Sequence, residues 1–212
     1  DPAVYFAGPA ASAESIEQIR VSMGLDRSLP VQFLAYVGDL LRGQLGQSIS
    51  TGQPVLTELT TRLPASLELT GFALLFSIAV AMPLGILAAT RPNSWIDHLC
   101  RFVVTAGVSL PTFFTGLALV YLFYFLLGWS PAPMGRLDIL YLSPPHVTGF
   151  YVIDALIDAD FETARAALAQ LILPAVTLGL FTLAPIARMT RAAMLQVLEG
   201  DFIRTARAAG LS

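Results

Sequence analysis

The last stretch of the chain holds the residues whose types and spacing best suit a specific interaction. Phe202 can supply the apolar anchor of a small interface. Arg204 and Arg207, three residues apart, can pair with carboxylates or with anionic headgroups. The segment from Asp201 to Gly210 is too polar to lie in lipid and too short to fold alone. It predicts a docking element at one face of a membrane.

The composition behind that segment is that of a polytopic membrane protein. Hydrophobic residues make up 55% of the 212 residues and charged residues 13%, against about 25% charged residues in soluble domains. All twelve basic residues are Arg, and the absence of Lys excludes a P-loop and Schiff-base chemistry. Cys100 is the single cysteine, and His98 and His146 have no ligand-like neighbours in the sequence. We therefore expect no cofactor and no metal site.

Three stretches without a charged residue exceed the roughly 20 residues that a spanning helix needs. They cover residues 69–90, 102–135 and 166–187. The middle stretch is too long for one straight crossing at about 1.5 Å per residue, so Pro111 is predicted to divide it into a lead-in helix over 100–110 and a span over 112–128. The expected fold class is all-α, a polytopic membrane helical bundle with about three spans and external helical and loop regions.

The distribution of Arg predicts the orientation of these spans. Residues 1–68 carry four Arg and seven acidic residues, and residues 129–165 carry two and five. The positive-inside rule places both acidic regions outside and the Arg-bearing turn and C-terminal part in the cytoplasm. The resulting order is an external region (1–68), a span (69–90), a cytoplasmic turn (91–101), a lead-in helix and span (102–128), an external loop (129–165), a span (166–188) and a cytoplasmic segment (189–212).

Cap, Gly and Pro signals predict further helices outside the spans. Ser12 or Ser15 is expected to cap the first, Pro64 to interrupt the third before the first span, and Asp201 to cap the last. The predicted helices cover residues 13–23, 30–41, 57–62, 151–158 and 202–209.

The three apolar stretches contain no ionisable side chain. Ion-coupled carriers usually keep such groups within the membrane, and intramembrane enzymes need a nucleophile with a base, paired carboxylates or metal ligands. We predict that most of the hydroxyls bond to backbone and pack helices, as do the small glycines. If the protein moves a solute uphill, a partner must supply the energy. The hydroxyls are Thr70, Ser77, Thr105, Ser109, Thr112, Thr115, Thr177 and Thr182, and the glycines are Gly71, Gly85, Gly107, Gly116 and Gly179.

The C-terminal segment resembles a known pattern. Residues 201–212 look like the first half of the EAA loop of ABC importer permeases, and more narrowly of their dipeptide/oligopeptide branch. When the two patterns are aligned at Gly210, Arg204, Thr205 and Ala206 stand where the general motif has Glu-Ala-Ala. Only Ala206 and Gly210 therefore match the general motif. Compared with the peptide branch, Ala209 replaces the usual Lys. Further similar stretches lie in the expected order at residues 24–33, 43–48, 62–69, 83–85, 109–114, 127–129, 148–156, 172–175 and 188–191.

The resemblance implies a permease subunit of an ABC importer for di-/oligopeptides or related small substrates, in the bacterial inner membrane. It implies a fragment of a six-span subunit that lacks the first span of the family. Its expected partners are two cytoplasmic ATP-binding subunits, a second homologous permease subunit, an extracytoplasmic substrate-binding protein, the peptide and the lipid membrane, with no nucleic acid. The chain itself is expected not to be an enzyme. The expected ATPase-coupling residues are Phe202, Arg204, Thr205, Ala206, Arg207, Gly210 and Leu211.

Two alternatives remain open on the residues alone. The basic helix can instead lie on anionic lipid headgroups, and the protein can be a non-transporting membrane scaffold or assembly factor whose tail binds a cytosolic partner. An integral membrane enzyme is disfavoured by the absence of ionisable groups in the spans. Within the permease interpretation the substrate stays open among dipeptides, oligopeptides, glutathione, nickel chelates and antimicrobial peptides.

Overall fold

The computed structural model describes residues 2–210, without the side chains of Val108 and Arg207, and within that range the chain is helical with no strand. The chain consists of two compact units, one up to Leu63 and the other from Pro64 onward. The helices are α1 (Pro2–Ala7), α2 (Ala13–Ser22), α3 (Leu29–Leu41), α4 (Val55–Thr90), α5 (Trp95–Ser109), α6 (Thr112–Val120), a π-helical turn (Tyr121–Leu126), α7 (Tyr151–Ile157), α8 (Phe161–Leu198) and α9 (Asp201–Ala208).

The first unit contains short helices joined by glycine turns. Ser12 caps α2, and its hydroxyl accepts a hydrogen bond from the Ser15 N–H at 3.2 Å. The Gln32 amide donates to the carbonyls of Leu25 and Arg27, which closes the loop before α3. The predicted helices over 13–23 and 30–41 are therefore confirmed to within one residue at each end, and Ser12 is the cap of the first.

The prediction that Pro64 interrupts a helix before the first span is wrong. Pro64 lies inside α4, which runs unbroken from Val55 to Thr90. A proline ring removes one backbone hydrogen bond, but the helix-forming residues on both sides continue the ladder. The ring is also packed, because a Cβ added to Gly149 would lie 2.7 Å from the Pro64 Cγ atom.

In the second unit, α4 and α8 meet along a stripe of small residues. On α4 the buried positions recur at every fourth or third residue, which places them on one helix face. A Cβ on Gly179 of α8 would lie 3.0 Å from the Ala73 carbonyl oxygen, and a Cβ on Gly85 would lie 2.8 Å from that of Ala187. Small residues let the two backbones approach this closely. The α4 stripe consists of Ala73, Ser77, Ala81, Gly85, Ala88 and Ala89.

The hydroxyls in these helices bond to backbone, as the sequence predicted. Ser77 donates to carbonyl oxygens and lies within hydrogen-bond distance of the Thr182 hydroxyl. Its bond to the Gly179 carbonyl, at 2.7 Å, joins α4 to α8. Thr177 and Thr182 bond to carbonyls one turn earlier on their own helix. The prediction that Gly71 serves packing is wrong for the described chain, since nothing lies within 4 Å of a Cβ placed there.

A break at Leu110–Pro111 separates α5 from α6, at the position where the sequence predicts one. The two helices form a pair bent by more than 40°, and α6 runs directly into the π-helical turn. The N–H groups of Trp129 and Ser130 both donate to the Phe123 carbonyl at the end of that turn. The π-helical turn itself has no counterpart in the sequence-based prediction.

Two described helices, α4 and α8, are long and apolar enough to cross a membrane, and the bent α5–α6 pair brings the number to three if it counts as one span. In the most apolar 18-residue segment of each helix, only 33% of the residues in α4 and 39% of those in α8 are buried against the rest of the chain. Outward-facing Leu75 and Phe181 are more than half exposed. Faces this apolar require cover from lipid or from other helices.

Candidate functional site

The predicted docking helix begins at a break next to Gly200. The helix α8 ends at Leu198, and α9 begins at Asp201. The Gly200 carbonyl accepts hydrogen bonds from the N–H groups of Ile203 and Arg204 at 3.1 and 3.2 Å. Because the cap residue is the one whose carbonyl accepts the first helical bonds, Gly200 is the cap, and the prediction that Asp201 caps this helix is wrong.

The ring of Phe202 lies close to Gly200, and a side chain at position 200 would displace it. A Cβ at position 200 would lie 2.8 Å from the Cε1 atom of that ring and 3.1 Å from the Val197 carbonyl oxygen. The ring therefore lies over the glycine while 64% of the residue remains exposed. A partner that covers Phe202 would meet an aromatic ring already held against the α8–α9 junction.

The remaining predicted coupling residues lie along α9. Arg204 and Thr205 are exposed and Ala206 is half-buried, while the Thr205 hydroxyl is engaged with the Asp201 carbonyl at 2.9 Å. Arg204 comes within 3.5 Å of the Asp201 carboxylate, but the side chains are 75% and 97% exposed, so water screens the pair. The guanidinium of Arg204 thus remains available to an acidic partner.

The end of α9 is a left-handed turn. Gly210 has a φ of 82°, which side chains of L-residues rarely adopt, and a Cβ there would meet open space. Within the described chain, Gly210 therefore serves a turn and makes no close contact. The side chain of Arg207 and the whole of Leu211 lie outside the described residues.

A buried ion pair that the sequence analysis missed lies at the same end of the bundle. Asp97, near the start of α5, is completely buried. The Arg191 guanidinium on α8 donates to both carboxylate oxygens of Asp97, at 3.0 and 2.9 Å. The Asn93 N–H and the Arg101 guanidinium reach the same carboxylate at 3.1 and 3.3 Å. Ser94 caps α5 by accepting from the Asp97 N–H.

A second buried carboxylate, Glu68, lies inside α4, well before the end of the helix that leads to Asp97. Glu68 is 5% exposed and accepts hydrogen bonds from the Tyr151 and Val152 N–H groups at the start of α7. Arg136 pairs with Glu68 at 2.8 Å, donates to the Gly149 carbonyl and stacks 3.6 Å from the centre of the Tyr151 ring. Glu68 thus fixes the loop before α8 to α4.

Asp154 organises that loop from within. Its carboxylate is 1% exposed and accepts from the N–H groups of Val147, Thr148 and Gly149 and from the Thr148 hydroxyl. Burial by itself raises the pKa of Asp154, but these four hydrogen bonds to the charged form outweigh it, and the net pKa is lowered. The loop is therefore built around an ionised carboxylate.

An apolar cavity of about 260 Å³ lies between the π-helical turn and α8. Phe123 and Trp129 form one wall, and Ile172 and Leu173 belong to the other. None of its lining residues is charged, so it offers no counter-charge to the termini of a peptide.

No group of three or more His, Cys, Asp or Glu side chains among the described residues could hold a metal ion. Asp97 and Glu68 are each engaged by hydrogen bonds and by an Arg, and Asp154 by hydrogen bonds from its own loop. Such groups fix structure. The arrangement suits contact with a partner at α9 and transmission of that contact into the helices.

Comparison with known proteins identifies related chains. The model of a family described as binding-protein-dependent transport system inner membrane component matches residues 81–212. A second, described as the N-terminal part of a binding-protein-dependent transport system membrane component, matches residues 1–70. Together the two matches reach from the first unit to α9.

Similar proteins include three named for peptide transport. The probable D,D-dipeptide transport system permease protein DdpB of Escherichia coli (strain K12) is 50% identical over all of this chain and 62% of its own length. The di/tripeptide permease DppB of Pseudomonas aeruginosa is 46% identical over 96% of this chain and 59% of its own length. The dipeptide permease DppB of Alkalihalophilus pseudofirmus is 40% identical over 99% and 62%. The chain thus spans about three fifths of the length of these relatives.

Proposed function

The chain belongs to the family of binding-protein-dependent transport system inner membrane components, and from that membership we propose that it is part of a permease subunit of an ABC importer for peptides. In this proposal α4, the α5–α6 pair and α8 contribute to the translocation path. The energy comes from ATPase subunits, since the apolar stretches carry no ionisable group that could couple transport to an ion gradient.

The observation that carries the proposal is the passage from α8 to α9. One helix extends from Phe161 through an apolar span to Leu198, and a short helix with an exposed aromatic and an exposed Arg follows across Gly200. A force applied to Phe202 by a docked partner is therefore transmitted from α9 across Gly200 directly into α8. We infer that α9 is the coupling helix that docks on an ATPase.

The substrate class rests on the relatives. DdpB is named for D,D-dipeptides and the two DppB proteins for dipeptides or di- and tripeptides. We propose short peptides as the class carried by the full transporter. The acidic regions at residues 1–68 and 129–165 would face a substrate-binding protein outside, and α9 would face the cytoplasm. A second permease subunit would cover the exposed apolar faces of α4 and α8.

Mild-detergent purification of the full-length subunit from its native cells tests the proposal first. We expect stoichiometric ATPases and a second permease subunit to accompany it, as identified by mass spectrometry. An intact, monodisperse subunit without ATPases would contradict the proposal and favour a scaffold with a lipid-bound tail.

A matched pair of variants then tests the role of α9. Phe202 and Phe161 are both exposed phenylalanines, at 64% and 71%, near opposite ends of α8. We expect Phe202→Ala to weaken ATPase binding by about 2 kcal/mol or more, roughly 30-fold, as for the loss of an aromatic anchor. Phe161→Ala should leave ATPase binding unchanged. Equal retention of ATPases by both variants would remove α9 from the interface.

A further inference from the structure

The Asp97–Arg191 pair joins two parts of the chain that are 94 residues apart in sequence. On one side, Asp97 stands in the first turn of α5, directly after the turn that ends α4. On the other side, Arg191 lies on α8 two helical turns before its end at Leu198. The pair therefore connects the α4–α5 turn to the part of α8 that leads into α9.

The connection matters for the motion of α8 because Pro185 is a point at which this helix can bend. The proline lies inside α8, near the end of the apolar stretch and roughly two helical turns before Arg191. A proline removes one helix hydrogen bond and crowds the preceding turn, so the helix bends most easily there. Motion of α9 would be absorbed by bending at Pro185 unless the helix beyond it were held from the side.

Two contacts hold α8 beyond the proline. The first is the close approach of Gly85 on α4, where a Cβ would lie 2.8 Å from both the Ala187 carbonyl oxygen and the Thr190 Cβ atom. The second is the Asp97–Arg191 pair one turn further on. The Gly85 contact is steric and contains no directional bond, whereas a two-bond guanidinium–carboxylate contact has one geometry. The pair thus sets both the distance and the rotation of this part of α8.

We propose that Asp97 is a positioning residue for coupling: through Arg191 it fixes the end of α8 to the α4–α5 turn, so that displacement of α9 moves α4, α5 and α8 together. This inference rests on the proposed docking of α9 on an ATPase. Arg101, whose side chain is 49% exposed, neutralises the carboxylate from its solvent side. With Asp97 neutralised, α8 beyond Pro185 loses its directional bond to α5 and is held by packing alone.

The test uses the complete transporter reconstituted in proteoliposomes with its ATPases and binding protein. The variant is Asp97→Asn, which keeps the shape but removes the charge. The matched control is Arg188→Gln, one turn earlier on α8, whose exposed side chain takes no part in the Asp97 bonds given above. The readouts are ATP hydrolysis, peptide uptake and ATPase retention, measured on the same preparations.

We expect Asp97→Asn to retain its ATPases and to hydrolyse ATP while uptake falls, so that ATP used per peptide rises about tenfold, as for loss of a coupling interaction. Arg188→Gln should keep the wild-type ratio. A proportional fall of hydrolysis and uptake, with the ratio unchanged, would mean that Asp97 only supports folding and would overturn the inference.

A distance measurement separates this inference from the role of α9. Spin labels at Leu99→Cys on α5 and Val197→Cys on α8, both exposed positions, are introduced with Cys100→Ala. The native pair should give one narrow distance distribution, and Asp97→Asn a broad one. Unchanged width would overturn the positioning role. A broadened distribution with an unchanged ATP-to-peptide ratio would instead overturn the proposed coupling through α9. In that case Asp97 would still position α8 through Arg191.

Discussion

The contact between α4 and α8 at Gly85 allows a sharp test. Gly85→Ala places a Cβ 2.8 Å from the Ala187 carbonyl oxygen and 2.8 Å from the Thr190 Cβ atom. Ordinary contacts begin at 3.4 Å, so the helices must separate by roughly 0.6 Å at this point, close to the amount at which dispersion contacts weaken. The carbonyl is backbone and cannot rotate away.

The magnitude follows from two opposing terms. Overpacking of this kind typically costs about 1–3 kcal/mol, while replacing Gly by Ala inside a helix gains about 1 kcal/mol. We expect Gly85→Ala to destabilise the protein by a net amount of up to about 2 kcal/mol. Gly71→Ala on the same helix meets nothing within 4 Å and should give the gain alone.

Thermal unfolding of the purified subunit in detergent measures the difference. We expect the unfolding midpoint of Gly85→Ala to fall below that of the wild type and that of Gly71→Ala to stay level or rise. The two substitutions are chemically identical and share one helix, so changes in detergent binding affect both. If Gly85→Ala melts at or above Gly71→Ala, the close approach of α4 and α8 at this point is refuted.

Two further predictions concern single residues. Because the folded pKa of Asp154 is depressed, its stabilising contribution is present above the ordinary aspartate range and is lost as the pH falls below about 4. The protection of the Thr148 and Gly149 amides against hydrogen exchange, relative to an unstructured chain at the same pH, should fall in that range, and Asp154→Asn should show low protection already at pH 7. At Gly210, a β-branched residue strains the left-handed turn by about 1–2 kcal/mol, so Gly210→Val should uncouple ATP hydrolysis from transport in the inserted protein while Gly210→Asn, which tolerates that turn, should not. Equal loss in both variants would point to a close contact at Gly210, and normal transport by Gly210→Val would remove it from the docking site.

Local signals in the sequence predicted much of the helical pattern. The apolar stretches, the break at Pro111, the Ser12 cap and the helix at α7 depend on residues within a few positions of one another, and the structure has helices, a cap and a break there. The N-terminal extent of two helices was underestimated, since α4 begins at Val55 and α8 at Phe161, both before their apolar stretches. Charged residues can extend a helix into water, so the loss of hydropathy marks the end of the apolar stretch and does not mark the end of the helix.

The two buried ion pairs, Asp97–Arg191 and Glu68–Arg136, could not be predicted from neighbouring residues. Asp97 and Arg191 are 94 residues apart, and Glu68 and Arg136 are 68 apart, and a single sequence gives no measure of which distant charges meet. In the sequence, Asp97 and Glu68 lie beside apolar stretches, where charged residues usually mark a helix end in water. The spacing of Asp97 and Arg101 at i and i+4 is the one available signal, and by itself it indicates a surface pair on one helix and not a buried contact to α8.

The π-helical turn at Tyr121–Leu126 has a consequence for the phase of the helix that contains it. A π-helical turn holds one residue more than the α-helical turn it replaces, and each residue of an α-helix rotates the chain by about 100°. Side chains after the turn are therefore offset by about one residue from the faces set by α6. Gly128, with a φ of 63°, then ends the helix, and the Trp129 ring beyond it lies 6.0 Å from the Phe123 ring between ring centres. Removal of one residue from the turn would restore a uniform α-helix and move the point where the chain leaves the helix to a different azimuth around the helix axis.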